Sequence, residues 1–163
     1  MIRARPIRVL LVDDTTLFRQ SLRSALRAYP NIEIVGEAKD GEEAVSRAIH
    51  LQPTVVVMDV NMPKMDGITA TRLIKAQNHE IAVIGLSLYL PEYYVYAIKQ
   101  AGASEILDKN GDLTELYAAL QRAVASVQPV VIMEETPTSD VEQSKESASF
   151  SVIDSPSAKK PEI

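Results

Sequence analysis

The chain contains no cysteine. It can therefore form neither a disulfide framework nor a thiolate metal site. No apolar signal segment follows Met1, and no apolar run is long enough to span a membrane. These absences exclude disulfide-rich secreted proteins and membrane-spanning proteins, and they predict a cytoplasmic location.

Concentrated positive charge is also missing. The formal net charge is −5, and the 17 Lys and Arg residues are scattered along the chain. A protein that grips nucleic acid through its phosphates needs a clustered basic surface. The sequence therefore predicts no direct nucleic-acid binding by this chain.

Apolar residues make up 46% of the 163 residues and are concentrated before Met133. This distribution predicts one packed domain over residues 1–128. Residues 129–163 are rich in Ser, Thr, Pro and Glu, and this composition buries too little apolar surface to offset the entropy lost on folding. We expect a disordered tail there and no output domain.

Five short runs rich in Val, Ile and Leu predict β-strands. They are Ile7 to Val12, Ile32 to Ala38, Thr54 to Asp59, Ile81 to Ser87 and Ser104 to Leu107. The segments between and after them have the apolar spacing of helices and are long enough for crossover connections. Strands that alternate with helices indicate an α/β fold with a parallel sheet.

Polar side chains gather where these strands end. They are Asp13, Asp14, Asp59, Asn61, Ser87 and Lys109. Ligand sites of open parallel sheets lie at this edge. Each residue alone has an ordinary explanation as a turn, cap or surface residue. Three carboxylates together do not, because two of them ~5 Å apart at an effective dielectric of ~20 repel by about 3 kcal/mol. A cation is expected between them.

The oxygen-only ligand set selects magnesium, which manganese can replace, over zinc or copper. Lys109 would neutralise a phosphoryl oxygen as a point charge, and the Ser87 hydroxyl would donate to another. Asp59 lies at the centre, and a carboxylate can be phosphorylated directly to an acyl phosphate. The buried third strand is therefore interpreted as a rigid holder for a nucleophile.

The motifs around these residues resemble the receiver domain of bacterial two-component response regulators. They are LLVDD, MDVNMPKMDG, GLS and GASEILDKN, in this order within Ile7 to Val127. The resemblance implies a doubly wound, CheY-like sheet of strand order 2-1-3-4-5 with five helices. It also implies a phosphoprotein that acts as a signalling switch, not a turnover enzyme. The phosphoryl group would come from a sensor histidine kinase or a histidine phosphotransfer protein, and autodephosphorylation would be slow.

The resemblance also assigns a role to each polar residue. Asp59 would be the phosphoacceptor, Lys109 the phosphate-pairing lysine and Ser87 the switch hydroxyl. The metal would be bound by Asp14, Asp59 and the main-chain carbonyl of Asn61, with Asp13 as the supporting acid. The opening LLVDDTTLFRQSLRSAL is most similar to the branch that usually carries a LuxR/NarL-type helix-turn-helix output domain.

Two features depart from the family pattern. Ile106 occupies the position where the family usually has an aromatic switch residue. The polar segment after the domain is too short for the DNA-binding domain of this branch, which indicates either a stand-alone receiver or a truncated product.

Four tyrosines, Tyr89, Tyr93, Tyr94 and Tyr96, lie on or just before the fourth helix. Helical spacing places Tyr93 on a face related to that of Ala97 and Ile98, so we expect part of the set in the core. The rest are expected on the surface, and substitution of Tyr94 and Tyr96 would test this. Exposed tyrosine favours a protein partner. An output protein or a second copy is expected to bind the face made by the fourth helix, fifth strand and fifth helix.

Other functions fit the residues less well. A phosphorylation-independent interaction module remains an alternative, which Ile106 favours. An aspartate-dependent phosphatase would need a second acid two residues after Asp59, where Asn61 stands. A dinucleotide enzyme would need a glycine-rich turn after the first strand, where the sequence has VDDTTLF.

Overall fold

The computed structural model describes residues 4–127, in which strands and helices alternate. The strands are β1 (Ile7–Val12), β2 (Ile32–Ala38), β3 (Val55–Asp59), β4 (Ala82–Ser87) and β5 (Glu105–Asp108). The helices are α1 (Thr16–Leu26), α2 (Gly41–Leu51), α3 (Gly67–Gln77), α4 (Glu92–Gln100) and α5 (Leu113–Val127). β5 lies one residue further along than the sequence pattern indicates, because Asp108 still pairs with Ser87.

All strand pairs are parallel, and their order is β2-β1-β3-β4-β5. The α/β, doubly wound five-stranded sheet with five helices is therefore confirmed. Every residue of β3 and β4 is buried, whereas the edge strands β2 and β5 are mostly half-buried. The central strands are continuously apolar because helices cover both of their faces.

The two faces of the sheet form separate core clusters. Leu10 and Val56 pack with residues of α2, α3 and α4, whereas their neighbours Val9 and Val57 pack with residues of α1 and α5. Burial of one aliphatic side chain contributes about 1.5–3 kcal/mol relative to leaving it exposed. This double coverage holds the carboxyl ends of the central strands in fixed positions.

The predicted tail, residues 129–163, lies outside the described residues, so its disorder and the domain boundary at residue 128 stay predictions. None of the helices within residues 4–127 is long and apolar enough to cross a membrane.

Candidate functional site

The structure brings the six polar residues singled out from the sequence to one edge of the sheet. Asp13 and Asp14 follow β1, Asp59 ends β3 and Asn61 lies two residues after it, Ser87 ends β4, and Lys109 follows β5. These four strands are neighbours in the sheet, and the strand order reverses between β1 and β3. A crevice at the carboxyl ends of the strands is expected at such a reversal.

The three carboxylates form one cluster. Asp13, Asp14 and Asp59 each offer one oxygen, and these oxygens all lie within 4.8 Å of one another. Asp13 and Asp59 are only 3% and 2% exposed, whereas Asp14 is exposed. Two of the three negative charges are therefore buried, and their repulsion is screened less there than it would be in water.

Lys109 supplies the positive charge that faces this cluster. Its Nζ lies 2.6 Å from Asp13 Oδ2 and 3.0 Å from Asp59 Oδ2. Burial alone would lower the pKa of Lys109, but the contacts with the two carboxylates outweigh burial and raise it. Lys109 is therefore a fixed positive charge at neutral pH.

The Lys109 ammonium does not satisfy the two acids completely. Asp13 Oδ2 and Asp59 Oδ2 are buried and accept no hydrogen bond of good geometry, although Lys109 Nζ lies close to both. Both contacts are ion pairs. Both oxygens keep acceptor capacity for another positive group.

Asp59 has an unusual ionisation. Its pKa is raised to about 6, mainly by burial and in addition by the charge of Asp13. The Lys109 ammonium and the backbone N–H of Asn61, which donates to Asp59 Oδ1 at 3.0 Å, act in the opposite direction. The ionised carboxylate is thus held in a less favourable setting than water, which favours its neutralisation by a cation or by a covalent partner.

A magnesium ion fits this donor set. Three carboxylates face one ammonium, two of their oxygens are buried without a good hydrogen bond, and every side-chain donor in the cluster is a hard oxygen. Such donors prefer magnesium or manganese over softer metals.

The turn after β3 keeps Asp59 in place. Gly67, the first residue of α3, donates its N–H to Val60 O at 3.0 Å, and a Cβ at Gly67 would lie 2.0 Å from Asp59 O. Only glycine allows this approach. Close packing against the end of β3 therefore requires glycine at position 67. Asp66 caps α3 by accepting from Thr69 N at 2.7 Å.

Two side chains of α1 that the sequence did not single out also contact the site. The Phe18 ring lies under Lys109, with Nζ 4.9 Å from the ring centroid. Arg19 donates to the main-chain oxygen of Asp13 at 2.5 Å. The sequence could have indicated both residues, because they lie four and five residues after Asp14, in the first turn of α1.

The arrangement agrees with comparisons to known proteins. The sequence profile described as "Response regulator receiver domain" matches residues 9–121. The chain belongs to this family. The receiver domain is 40% identical over 117 residues to the transcriptional regulatory protein LiaR of Bacillus subtilis. The aligned region covers 72% of this chain and 56% of LiaR. This chain spans about half the length of most of the first curated relatives it matches.

Solved structures show the same fold. The response regulator domain of CheB from Thermotoga maritima superposes with a TM-score of 0.69 at 35% identity, covering 77% of this chain and all of that one. A LuxR-family response regulator from Aurantimonas gives a TM-score of 0.71 at 30% identity, covering 74% of this chain and 86% of that one. Together with the match to LiaR, the match to this LuxR-family structure places the receiver domain near the LuxR/NarL branch, as the sequence indicated.

Ile106 of the receiver domain packs into the core face made with α4. It pairs with Gly85 in the sheet, and its Cγ1 lies, like that of Ile98, 3.4 Å from where a Cβ of Gly85 would be. The side chain is half-buried among residues of that cluster. Ile106 thus makes an aliphatic packing contact at the position where the family resemblance implies an aromatic residue.

The expectation for the tyrosines of α4 is partly wrong. Tyr93, expected in the core, is 74% exposed, and Tyr94, expected on the surface, is half-buried and packs against the core. Tyr96 and Tyr89 are exposed. The helix is rotated so that Tyr94 and Ile98, four residues apart, face the sheet together.

Proposed function

We propose that this receiver domain is a phosphoryl-accepting switch in which Asp59 takes a phosphoryl group from a sensor histidine kinase or a histidine phosphotransfer protein. The observation that carries the proposal is the setting of Asp59. Its carboxylate is buried, its pKa is raised to about 6, and one oxygen faces Lys109 without an aligned hydrogen bond. Family membership supports this role.

In the proposed transfer, a carboxylate oxygen of Asp59 attacks the phosphorus of the donor. The new O–P bond forms as the P–N bond to the donor imidazole breaks, and the electron pair of that bond returns to the imidazole. Lys109, already 3.0 Å from Asp59 Oδ2, pairs with a phosphoryl oxygen, and the Ser87 hydroxyl donates to another. The product is an aspartyl phosphate that biases a conformational equilibrium near Ser87.

The proposed metal ligands are Asp14, Asp59 and the main-chain carbonyl of Asn61, with Asp13 as the supporting acid. A bound Mg²⁺, or Mn²⁺ in its place, would neutralise charge on the phosphoryl oxygens. Asp13 keeps Lys109 in position through its 2.6 Å contact, and Thr15 N donates to Asp13 Oδ1 at 2.8 Å. We propose no turnover reaction beyond slow autodephosphorylation, and a cytoplasmic location stays a proposal that rests on the family.

Incubation with acetyl phosphate and magnesium is expected to add one phosphoryl group to the protein. The intact mass reports the adduct, because a single acyl phosphate adds one phosphoryl mass. The adduct should need magnesium and should be absent from Asp59→Asn, in which the nucleophilic oxygen is replaced by an amide.

Asp66→Asn serves as the matched control for that experiment, because Asp66 is an exposed carboxylate in the same loop whose role is to cap α3. It should be phosphorylated like the wild type. An adduct that persists in Asp59→Asn, or no adduct in the folded wild type, would reject Asp59 as acceptor and favour the phosphorylation-independent interaction module.

The output surface is proposed to be the face of α4, β5 and α5. Tyr93 and Tyr96 expose their rings on α4, and Leu88 and Tyr89, which follow Ser87 in the chain, are exposed as well. Aromatic rings give large contact area at low entropy cost. The proposed occupant is an output protein or a second copy of the receiver domain.

Tyr93→Ser combined with Tyr96→Ser is expected to weaken self-association of the phosphorylated protein at least about tenfold, because exposed aromatic residues dominate such contacts. Sedimentation velocity after acetyl phosphate treatment measures this. Leu17→Ser, which removes an exposed apolar side chain from α1, is the control. If the phosphorylated double variant dimerises as strongly as the phosphorylated wild type, this face is not the homodimer interface.

A further inference from the structure

The Ser87 hydroxyl is fully engaged in the described conformation. It is 1% exposed, donates to Tyr89 O at 2.7 Å, and accepts from Tyr89 N and Asn61 Nδ2, each at 3.3 Å. A hydroxyl has one proton to donate and two lone pairs. Its proton is already used, so Ser87 can donate to a group on Asp59 only after it leaves Tyr89 O.

Asn61 connects this hydroxyl to Asp59. Its backbone N–H donates to Asp59 Oδ1 at 3.0 Å, while its side-chain amide donates to Ser87 Oγ. The amide orientation is fixed by chemistry, because a hydroxyl that donates to Tyr89 O can only accept from Asn61. One residue therefore holds both the proposed phosphoacceptor and the hydroxyl that must move toward it.

We propose that the Asn61 side chain is a latch that holds the Ser87 hydroxyl in its resting orientation. The proposal rests on the proposed function of Asp59 and names a positioning role that is separate from the Asn61 main-chain carbonyl. The amide occupies one lone pair of Ser87 Oγ while the hydroxyl faces Tyr89 O. Release of this amide lowers the cost of turning the hydroxyl toward Asp59, and the segment after Ser87 loosens with it.

The first test needs no phosphoryl donor. Hydrogen exchange of the Tyr89 amide, measured by NMR, reports how well Tyr89 N is held on Ser87 Oγ. Asn61→Ala is expected to speed this exchange about two- to tenfold, the range produced by losing one neutral hydrogen bond. Asn78→Ala, which removes a side-chain amide bond to Gln52 at the opposite edge of the sheet, should leave it unchanged. Unchanged exchange in Asn61→Ala would overturn the latch.

The second test is a double-mutant cycle on the rate of phosphorylation by acetyl phosphate. Asn61→Ala is expected to raise this rate about two- to tenfold when Ser87 is present and to have no effect in Ser87→Ala. An equal effect in both backgrounds would show that Asn61 acts by another route and would overturn the proposal. A wild type that takes no phosphoryl group rejects the proposed function instead, and the exchange measurement then decides the latch alone.

Discussion

Lys109→Met is expected to destabilise the receiver domain at neutral pH and to slow its phosphorylation. Within the described residues, Lys109 is the ammonium that contacts both buried carboxylates, so its loss leaves Asp13 and Asp59 facing each other without that countercharge. Removing one partner from a buried ionic contact typically costs about 3–5 kcal/mol. We expect a loss of about 3 kcal/mol in the free energy of unfolding, measured by urea denaturation without magnesium.

The pH dependence of that loss has a definite sign. The pKa of Asp59 is already raised to about 6, and removal of the lysine raises it further. A carboxyl with a raised folded-state pKa destabilises the fold as the pH rises from the unfolded pKa to the folded one, and the loss is constant above that. In the wild type this loss is complete at about pH 6, whereas in Lys109→Met it continues up to the higher pKa of the variant. The deficit of Lys109→Met should therefore be largest above about pH 6 and should shrink at more acidic pH.

Phosphorylation of Lys109→Met by acetyl phosphate should slow by at least about 100-fold, the usual effect of removing one charged group that stabilises a transition state. Lys109→Arg keeps the positive charge and should retain most of the stability. Equal stability of Lys109→Met and the wild type at neutral pH would show that the lysine does not balance the buried acids.

The sequence predicted the edge at which the polar residues meet, because these residues lie at the ends of strands that regular helices connect. The carboxyl ends of parallel neighbouring strands must share one edge, so Asp13, Asp59 and Ser87 come together once their strands are recognised. The apolar continuity of β3 agrees with its burial between helices on both faces of the sheet. The functional roles of these residues stay proposals.

Features that depend on the rotation or contact of side chains could not be predicted in the same way. Three tyrosines within four residues of a nine-residue helix leave its buried face ambiguous, and packing against the sheet selected Tyr94. The contact of Asn61 with Ser87 joins residues 26 positions apart and has no local sequence signal. The close approach of Gly67 to Asp59 O likewise follows from how α3 packs on β3.

Asp59→Asn is expected to stabilise the folded domain in the absence of magnesium, although it removes the proposed phosphoacceptor. The pKa of Asp59 is raised from 3.8 to about 6, so the fold disfavours the ionised carboxylate. A shift of about two pKa units corresponds to about 3 kcal/mol at neutral pH. The value of about 6 already includes the favourable Lys109 contact, and burial of the replacement amide offsets part of the gain, so we expect the variant to be more stable by about 1–2 kcal/mol.

The pH profile identifies the cause of this gain. Below the ordinary pKa of 3.8 the carboxyl is protonated in folded and unfolded chains alike, so the variant and the wild type should differ little. The difference should grow as the pH rises from 3.8 to about 6, because the unfolded wild type loses its proton first, and should stay constant above that. Urea denaturation at a series of pH values measures the profile.

Magnesium and Asp14→Asn provide the controls for this effect. Magnesium should stabilise the wild type more than Asp59→Asn, because a cation that binds only the folded acidic cluster shifts the folding equilibrium. Asp14 is exposed, so water screens its charge and Asp14→Asn should gain less stability than Asp59→Asn. A pH-independent gain, or equal gains from both substitutions, would mean that the buried charge of Asp59 is not what limits the stability of the domain.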